Sequence, residues 1–352
     1  MAMISNQKSG DDSTNLQAGR DIVVNAGNSI ALYSIEEVAK QLMGSVFGEL
    51  PDETKKQIEA NQKSYFQALS ENLGKIIKQN DELKKVIDSP DFQYISKTAS
   101  ISASRSSSEE LHKNLSSLIT HRINNNDEDL KRIVYDEAIT TIGKLTTDQL
   151  KIVTLCYLLK YTSYGGIVSW EAYKNYLNSH IKPFLGFKNT NAEFQHIEYA
   201  GCGSIGIGSW DVLNIHRQQY SFLFLNLIEK DQIDNLNIDD EIKKEIIASD
   251  AKEDKYFLRF KNKTDLENYL KEKSVDEETA KKLASIYESH IKNNDEIKKK
   301  IIEETSIGKE LLELWEKSNL KHLSLTSVGI TIGASYFEQT TGEKIDISIW
   351  IN

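Results

Sequence analysis

The chain is poor both in residues that break helices and in residues that cross-link folds. With only 3 prolines in 352 residues, little in the backbone prevents long helices from forming. Its two cysteines, Cys156 and Cys202, exclude a disulfide framework and show no CxxC spacing, so reduced, buried thiols are expected. No apolar run approaches the roughly 18 to 20 residues that a membrane-spanning helix needs, and residues 1–28 lack the basic start and apolar core of a signal peptide. A cytoplasmic protein with no membrane span is the expectation. Positive charge is also short. Lys and Arg number 43 against 53 Asp and Glu, a net charge of −10, which disfavours nucleic acid as a partner.

Chemical signatures are equally sparse. The seven histidines (His112, His121, His180, His196, His216, His290 and His322) include no HxxxH or HExxH pair, so no metal site is expected. There is no GxSxG elbow. The one nucleophile with plausible neighbours is Cys202, with His196 six residues before it and Asp211 nine after. Such loop spacing does not by itself bring an imidazole to a thiol. No catalytic residue and no cofactor is expected.

What the chain does have is a polar, β-prone opening. Two short extended runs, residues 14–17 and 22–25, flank Ala18-Gly19-Arg20-Asp21, where Gly19 can take the positive φ of a tight turn. A β-hairpin or β-arc is expected over residues 1–28. Because an isolated two-stranded unit is marginal in water, it must dock on the body or on copies of itself. Asn15, Gln17, Ala18, Gly19, Arg20, Asp21 and Ile22 are the candidate docking or self-association residues. In-register copies could stack the Asn and Gln amides into ladders.

The rest reads as mainly α, a helical bundle body with a small C-terminal β element. Ser34 and Glu37 form a capping box before a helix carrying Ile35, Val38, Ala39, Leu42, Val46 and Phe47. Pro51 opens a long helix with Ile58, Tyr65, Phe66, Leu69, Leu73, Ile76, Ile77 and Leu83 on one stripe. Further starts fall at Ser89-Pro90, at Ser106-Ser107-Ser108-Glu109 and at Asp129. Thr146 and Gln149 begin a helix that is hydrophobic nearly all round from Leu150 to Leu159, which places it at the centre. The bundle is expected over residues 29–165. A helical region with a Gly-rich turn follows over 166–230, where Ser169 starts a helix that Pro183 ends or bends. Residues 231–306 form a charged helical region after which 307–352 fold as helix, strand, helix and strand.

Two features of the later chain invite a functional reading. Residues 201–208 hold four glycines, and Gly201, Cys202, Gly203, Gly206 and Gly208 form a candidate ligand or sensing loop, with a tight turn between packed helices as the plainer alternative. In the C-terminal element, Leu323 and Leu325 make a short β run, and a helix is expected over 328–339. The alternation of Ile345, Ile347, Ile349 and Ile351 predicts a half-buried strand. Strand, helix and strand together could form a winged-helix-like piece.

Gly10-Asp11, Ser13, Asn15 and residues 17–22 resemble the opening of an uncharacterised bacterial family whose members begin G-D-x-S-x-N-x-Q-A-G-R-D-I. Residues 90–94, 108–111 and 144–150, together with 325–330 and 346–351, resemble the same family. A looser similarity reaches abortive-infection proteins of the Abi-alpha type, through Leu145-Thr146-Thr147-Asp148 and Leu325-Thr326-Ser327-Val328-Gly329. It implies a role in bacterial anti-phage defence. The sequence is therefore read as a non-enzymatic, self-associating interaction or sensor protein, a homo-oligomer with a phage or host protein as trigger. The alternatives are a nucleic-acid-binding transcriptional regulator and a hydrolase with a site near Cys202.

Overall fold

The computed structural model describes residues 50–76, 86–125, 129–250, 253–260 and 262–351. The N-terminal β motif, with all seven of its candidate residues, and the helix expected after Ser34 lie outside the described residues. Within them the chain is mainly helical, with two small two-stranded sheets.

Local signals set the helix starts. Helix α1 (Asp52–Ile76) follows Pro51, and Ser89 caps α2 (Pro90–Ser104) with its hydroxyl accepting from Phe92 N at 3.3 Å. Ser108 caps α3 (Glu109–Asn124), which is followed by α4 (Asp129–Ile142). Thr146 and Gln149 close a reciprocal capping box on α5 (Thr147–Lys160). The stripe of α1 is core, not a partner face: Tyr65, Leu69 and Leu73 are fully buried against α3 and α2. Polar residues join the same contact. Asn61 donates to Ser104 O at 3.0 Å, and Asn72 to Ser116 Oγ at 2.6 Å.

Arg122 of α3 is completely buried. Its Nε donates to Asp136 on α4 at 3.0 Å, a terminal nitrogen donates to Asp91 on α2, and the guanidinium lies 5.8 Å from the Phe92 ring centroid. Arg132 of α4 reaches the same Asp91 oxygen at 2.7 Å. Three helices are thus tied through one cation.

Helix α5 is the centre of the body, with every residue from Ile152 to Leu159 buried. Helix α6 (Trp170–Tyr176) then widens into a π turn, Leu177–Ile181, and tightens into a 3-10 turn containing Pro183. After α7 (Asn191–Tyr199) come β1 (Gly203–Ile205) and α8 (Val212–Gln219). A second, smaller hydrophobic cluster gathers Ile228, Ile233, Ile246, Leu258, Leu266, Leu270, Leu283 and Tyr287. It is built from α9 (Lys230–Asp234), α10 (Asp240–Ile246), β2 (Ile247–Asp250), β3 (Lys255–Leu258), α11 (Lys263–Glu272) and α12 (Glu277–Ser289). Strands β2 and β3 are antiparallel. The chain enters this cluster beside its exit: Leu225 bridges Ile291, Asn226 N donates to His290 O at 2.7 Å, and Lys292 N donates to Phe224 O at 2.7 Å.

Helices α13 (Asn294–Glu304) and α14 (Gly308–Lys317) return to the main core. Strand β4 (Leu323–Leu325) pairs antiparallel with β1, Gly203 opposite Leu325 and Ile205 opposite Leu323. Helix α15 (Ser327–Thr341), capped by Thr326 and ended by Gly342 at φ +79°, packs on α5. Gly333 lets the two approach closely: a Cβ there would sit 3.1 Å from Tyr157 Cβ.

Two expectations for the C-terminus are corrected. Residues 345–351 do not form a strand; Ile347–Trp350 is a 3-10 turn. Ile347 and Ile351 are buried while Ile349 is 76% exposed. The alternation is a strand signal, but burial of Ile347 and Ile351 on the main core is achieved through a 3-10 turn instead. Among the described residues the sheet of β4 holds β1 and takes up no third strand. Nor is the element winged-helix-like. The helix that would have to enter a groove, α15, is buried from Gly329 to Phe337.

Candidate functional site

The Gly-rich segment is held against β4 and the start of α15 by contacts that give its glycines different roles. Helix α7 ends as Gly201 turns the backbone at φ +79°, with Cys202 N donating to Ile197 O at 3.1 Å. Thr326 then clasps the turn. Its N donates to Cys202 O at 3.1 Å and its hydroxyl to Gly201 O at 2.7 Å, while the same oxygen caps α15. Gly329 completes the fit, because a Cβ there would fall 1.9 Å from Cys202 O. At Gly203 a Cβ would come within 2.7 Å of Ser324 O across the β1–β4 ladder. Gly201, Gly203 and Gly329 are therefore demanded by the fold.

Beyond β1 the loop crosses to α8. Gly206 N donates to His322 O at 3.0 Å, His322 Nδ1 donates to Gly208 O at 3.0 Å, and Trp210 N donates to Lys321 O at 2.9 Å. Trp315 Nε1 holds Trp210 O at 3.0 Å. Lys160, at the end of α5, donates to Leu323 O at 2.6 Å and lies 5.6 Å and 5.3 Å from the Trp210 and Trp315 ring centroids. Burial holds its ammonium below the ordinary lysine value. Asp211 caps α8, accepting from Leu213 N at 2.9 Å, and its other oxygen accepts from Asn294 at 3.0 Å. Between this loop and α8 lies a cavity of about 450 Å³. Asp211, Asn214, Ile215 and Gln218 line it at helical spacing, facing Gly206, Gly208, Trp210 and His322.

The Cys202, His196 and Asp211 trio is not assembled. Cys202 is fully buried and burial pushes its thiol up to about 12, with Lys144 pulling only weakly the other way. His196 is engaged through Nδ1 with Gln149 Oε1 at 3.1 Å, and Asp211 is committed to its cap. Cys156 is likewise buried, its thiol at about 12. Among the described residues no three His, Cys, Asp or Glu side chains group as a metal site, and no helix is long and apolar enough to cross a membrane.

On the inner face of α8, His216 is buried and receives the Tyr173 hydroxyl at Nδ1, 2.5 Å away. Burial lowers its pKa from 6.5 to about 4, and raises the Tyr173 phenol far above its usual range, so the pair is neutral and the phenol donates. The unfolded chain takes up this proton near pH 6.5 and the folded chain only near 4. Stability is therefore full above that window and falls as pH drops through it, by on the order of 3 kcal/mol. His216→Gln is expected to flatten the urea-midpoint profile between these pH values. An equal slope in both proteins would show that His216 does not govern it.

Sequence reasoning found the glycines and missed what surrounds them. Lys160, Trp210, Trp315, His322 and Thr326 arrive from separate parts of the chain. Only Thr326 carried a local signal, as a helix cap.

No curated protein and no solved structure matches this chain. One family model, that of an uncharacterised family, does match, over residues 30–351. That span leaves the first 29 residues, including the G-D-x-S-x-N opening, outside the match. All of the described residues fall inside that span, and the chain belongs to this uncharacterised family.

Proposed function

We propose that the protein is a non-enzymatic interaction and sensor protein that self-associates through its first 27 residues, with the helical body as the responding part. The observation that carries this reading is the division of the chain. The family match begins at residue 30, and the segment before it has a polar, β-prone sequence with too few apolar residues for a core strand. Asn15, Gln17 and Asn25 suit repeated pairing between copies. Support also comes from the burial of both thiols. Resemblance to the G-D-x-S-x-N family and to Abi-alpha-type proteins suggests the setting, bacterial anti-phage defence with a phage or host protein as trigger. A nucleic-acid regulator has weaker support, since α15 is buried and contains no Lys or Arg.

Deleting residues 1–27 tests the reading. The variant is expected to keep the helical circular dichroism of the full chain, to show a lower mass in solution, and to lose protection against phage in cells. A variant with the parent's mass and the parent's protection would sink the assembly role.

A further inference from the structure

Gly206 and Gly208 differ from the other glycines of their segment. Neither has a positive φ. A Cβ on Gly208 would meet nothing within 4 Å, and one on Gly206 would meet only His322 O at 3.8 Å and Gly208 N at 3.9 Å, ordinary contact distances. The fold would accept alanine at both, and glycine costs about 0.5 to 1 kcal/mol in chain entropy against alanine in regular structure. Glycine at both positions leaves bare backbone along one wall, which a ligand can approach closely. Both residues line the same cavity.

The chemistry of the lining defines what would fit. Trp210 offers a flat ring that is 48% exposed, and its backbone is fixed on both sides by Lys321 O and Trp315 Nε1. Among the lining residues Asn214 and Gln218 carry amides, the Asn214 oxygen accepting from Arg217 at 2.6 Å, and Ser209 and Ser324 carry hydroxyls. His322, donating through Nδ1 to Gly208 O, keeps Nε2 as an acceptor in the neutral ring. Donors and acceptors are thus mixed around an aromatic platform. No Lys or Arg lines the cavity, and its one formal charge, Asp211, is negative. A phosphate there would face the Asp211 carboxylate, while the Arg217 guanidinium beside the cavity is already donating to Asn214 Oδ1 at 2.6 Å. The volume of about 450 Å³ falls in the range of small-molecule sites.

We propose that this cavity binds an uncharged, planar nitrogen heterocycle of the nucleobase class, as a free base or nucleoside, stacked on Trp210 with its polar edge toward Asn214 and Gln218. Stacking tolerates any base, and the rim amides and hydroxyls select among edges. The site lies wholly within the body and does not depend on assembly through the N-terminus.

The test is calorimetric titration of the full chain with adenosine, guanosine, cytidine and uridine, and with adenosine monophosphate as the charged arm. At least one nucleoside is expected to saturate the protein below roughly 1 mM, and the monophosphate to bind about tenfold or more weakly than adenosine. Gly208→Val adds a branched side chain at a cavity-lining position where a Cβ meets nothing within 4 Å. It is expected to weaken binding about tenfold or more with an unchanged melting temperature. Gln218→Ala, on the exposed face of α8, is expected to weaken binding severalfold. Gly165→Val, at another glycine with nothing within 4 Å of its Cβ but outside the cavity, is expected to bind like the parent. The proposal is overturned if no nucleoside saturates the protein, if the monophosphate binds as tightly as adenosine, or if the Gly208 and Gln218 variants both bind like the parent.

Discussion

Removing residues 345–352 is expected to lower the unfolding free energy by about 3.5 to 7.5 kcal/mol. Ile347 and Ile351 are 6% and 4% exposed, and a fully buried side chain of this kind contributes about 1.5 to 3 kcal/mol. Trp350 adds an edge contact on Tyr157, ring centroids 5.4 Å apart, worth roughly 0.5 to 1.5 kcal/mol beyond its area. Because Tyr157 belongs to α5 at the centre of the body, the truncation strips the core from outside. Domains commonly have about 5 to 15 kcal/mol in total, so much of the margin would go. Urea denaturation of the truncated chain measures the loss. The exposed Ile349 separates this packing from a simple hydrophobic effect of the segment: Ile349→Ser should leave the midpoint where it was, and a truncated chain that melts like the parent would show the turn to be dispensable.

Replacing Arg122 by Ala should cost a comparable amount, about 3 to 5 kcal/mol, because it breaks a buried ion pair from one side. Asp136 would be left half-buried without the guanidinium that donates to it at 3.0 Å, and α2, α3 and α4 would lose their shared cation. The two carboxylates differ. Burial works to raise Asp91, but Arg132 and Arg122 outweigh it and hold the carboxyl below its ordinary value; at Asp136 burial wins and the carboxyl is raised despite Arg122. Half-exposed Asp91 retains Arg132 and water, so Asp91→Asn should cost less than about 1 kcal/mol. In Arg122→Ala the buried Asp136 prefers its proton more strongly still. A group whose folded pKa is raised supplies its stability at low pH and loses it as pH rises, so the deficit of this variant should widen from acid toward neutral pH. A deficit that is constant with pH, or an Asp91→Asn variant as unstable as Arg122→Ala, would contradict this account.

The helix starts were legible because their causes are local. Ser89 before Pro90, Ser108, the Thr146 and Gln149 capping box, Ser169 and Thr326 each satisfy backbone groups two or three residues away, so the pattern and the bond lie in one window. The central position of α5 was also legible, since a helix that is apolar all round has no face to give to water. The segment 345–351 was misread for the converse reason: its alternation is a strand signal, and the packing of Ile347, Trp350 and Ile351 on the main core that overrides it is contained in no local window.

The sequence by itself determined the helical class, the caps and the central helix, because propensity, capping and periodicity act within a turn or two of chain. Tertiary structure alone decided which of the four glycines in residues 201–208 serve the fold. Gly201 answers to its own φ, and Gly203 to Ser324 across a ladder that joins chain segments more than a hundred residues apart. Gly206 and Gly208 answer to neither, a distinction that exists only once β4, Trp210 and α8 have closed around them. It also decided the burial of Arg122, whose charge in a solvated helix would read as surface until two aspartates from other helices meet it. Contacts of this kind follow from which elements pack together, and that is settled by the whole core at once rather than by any stretch of residues.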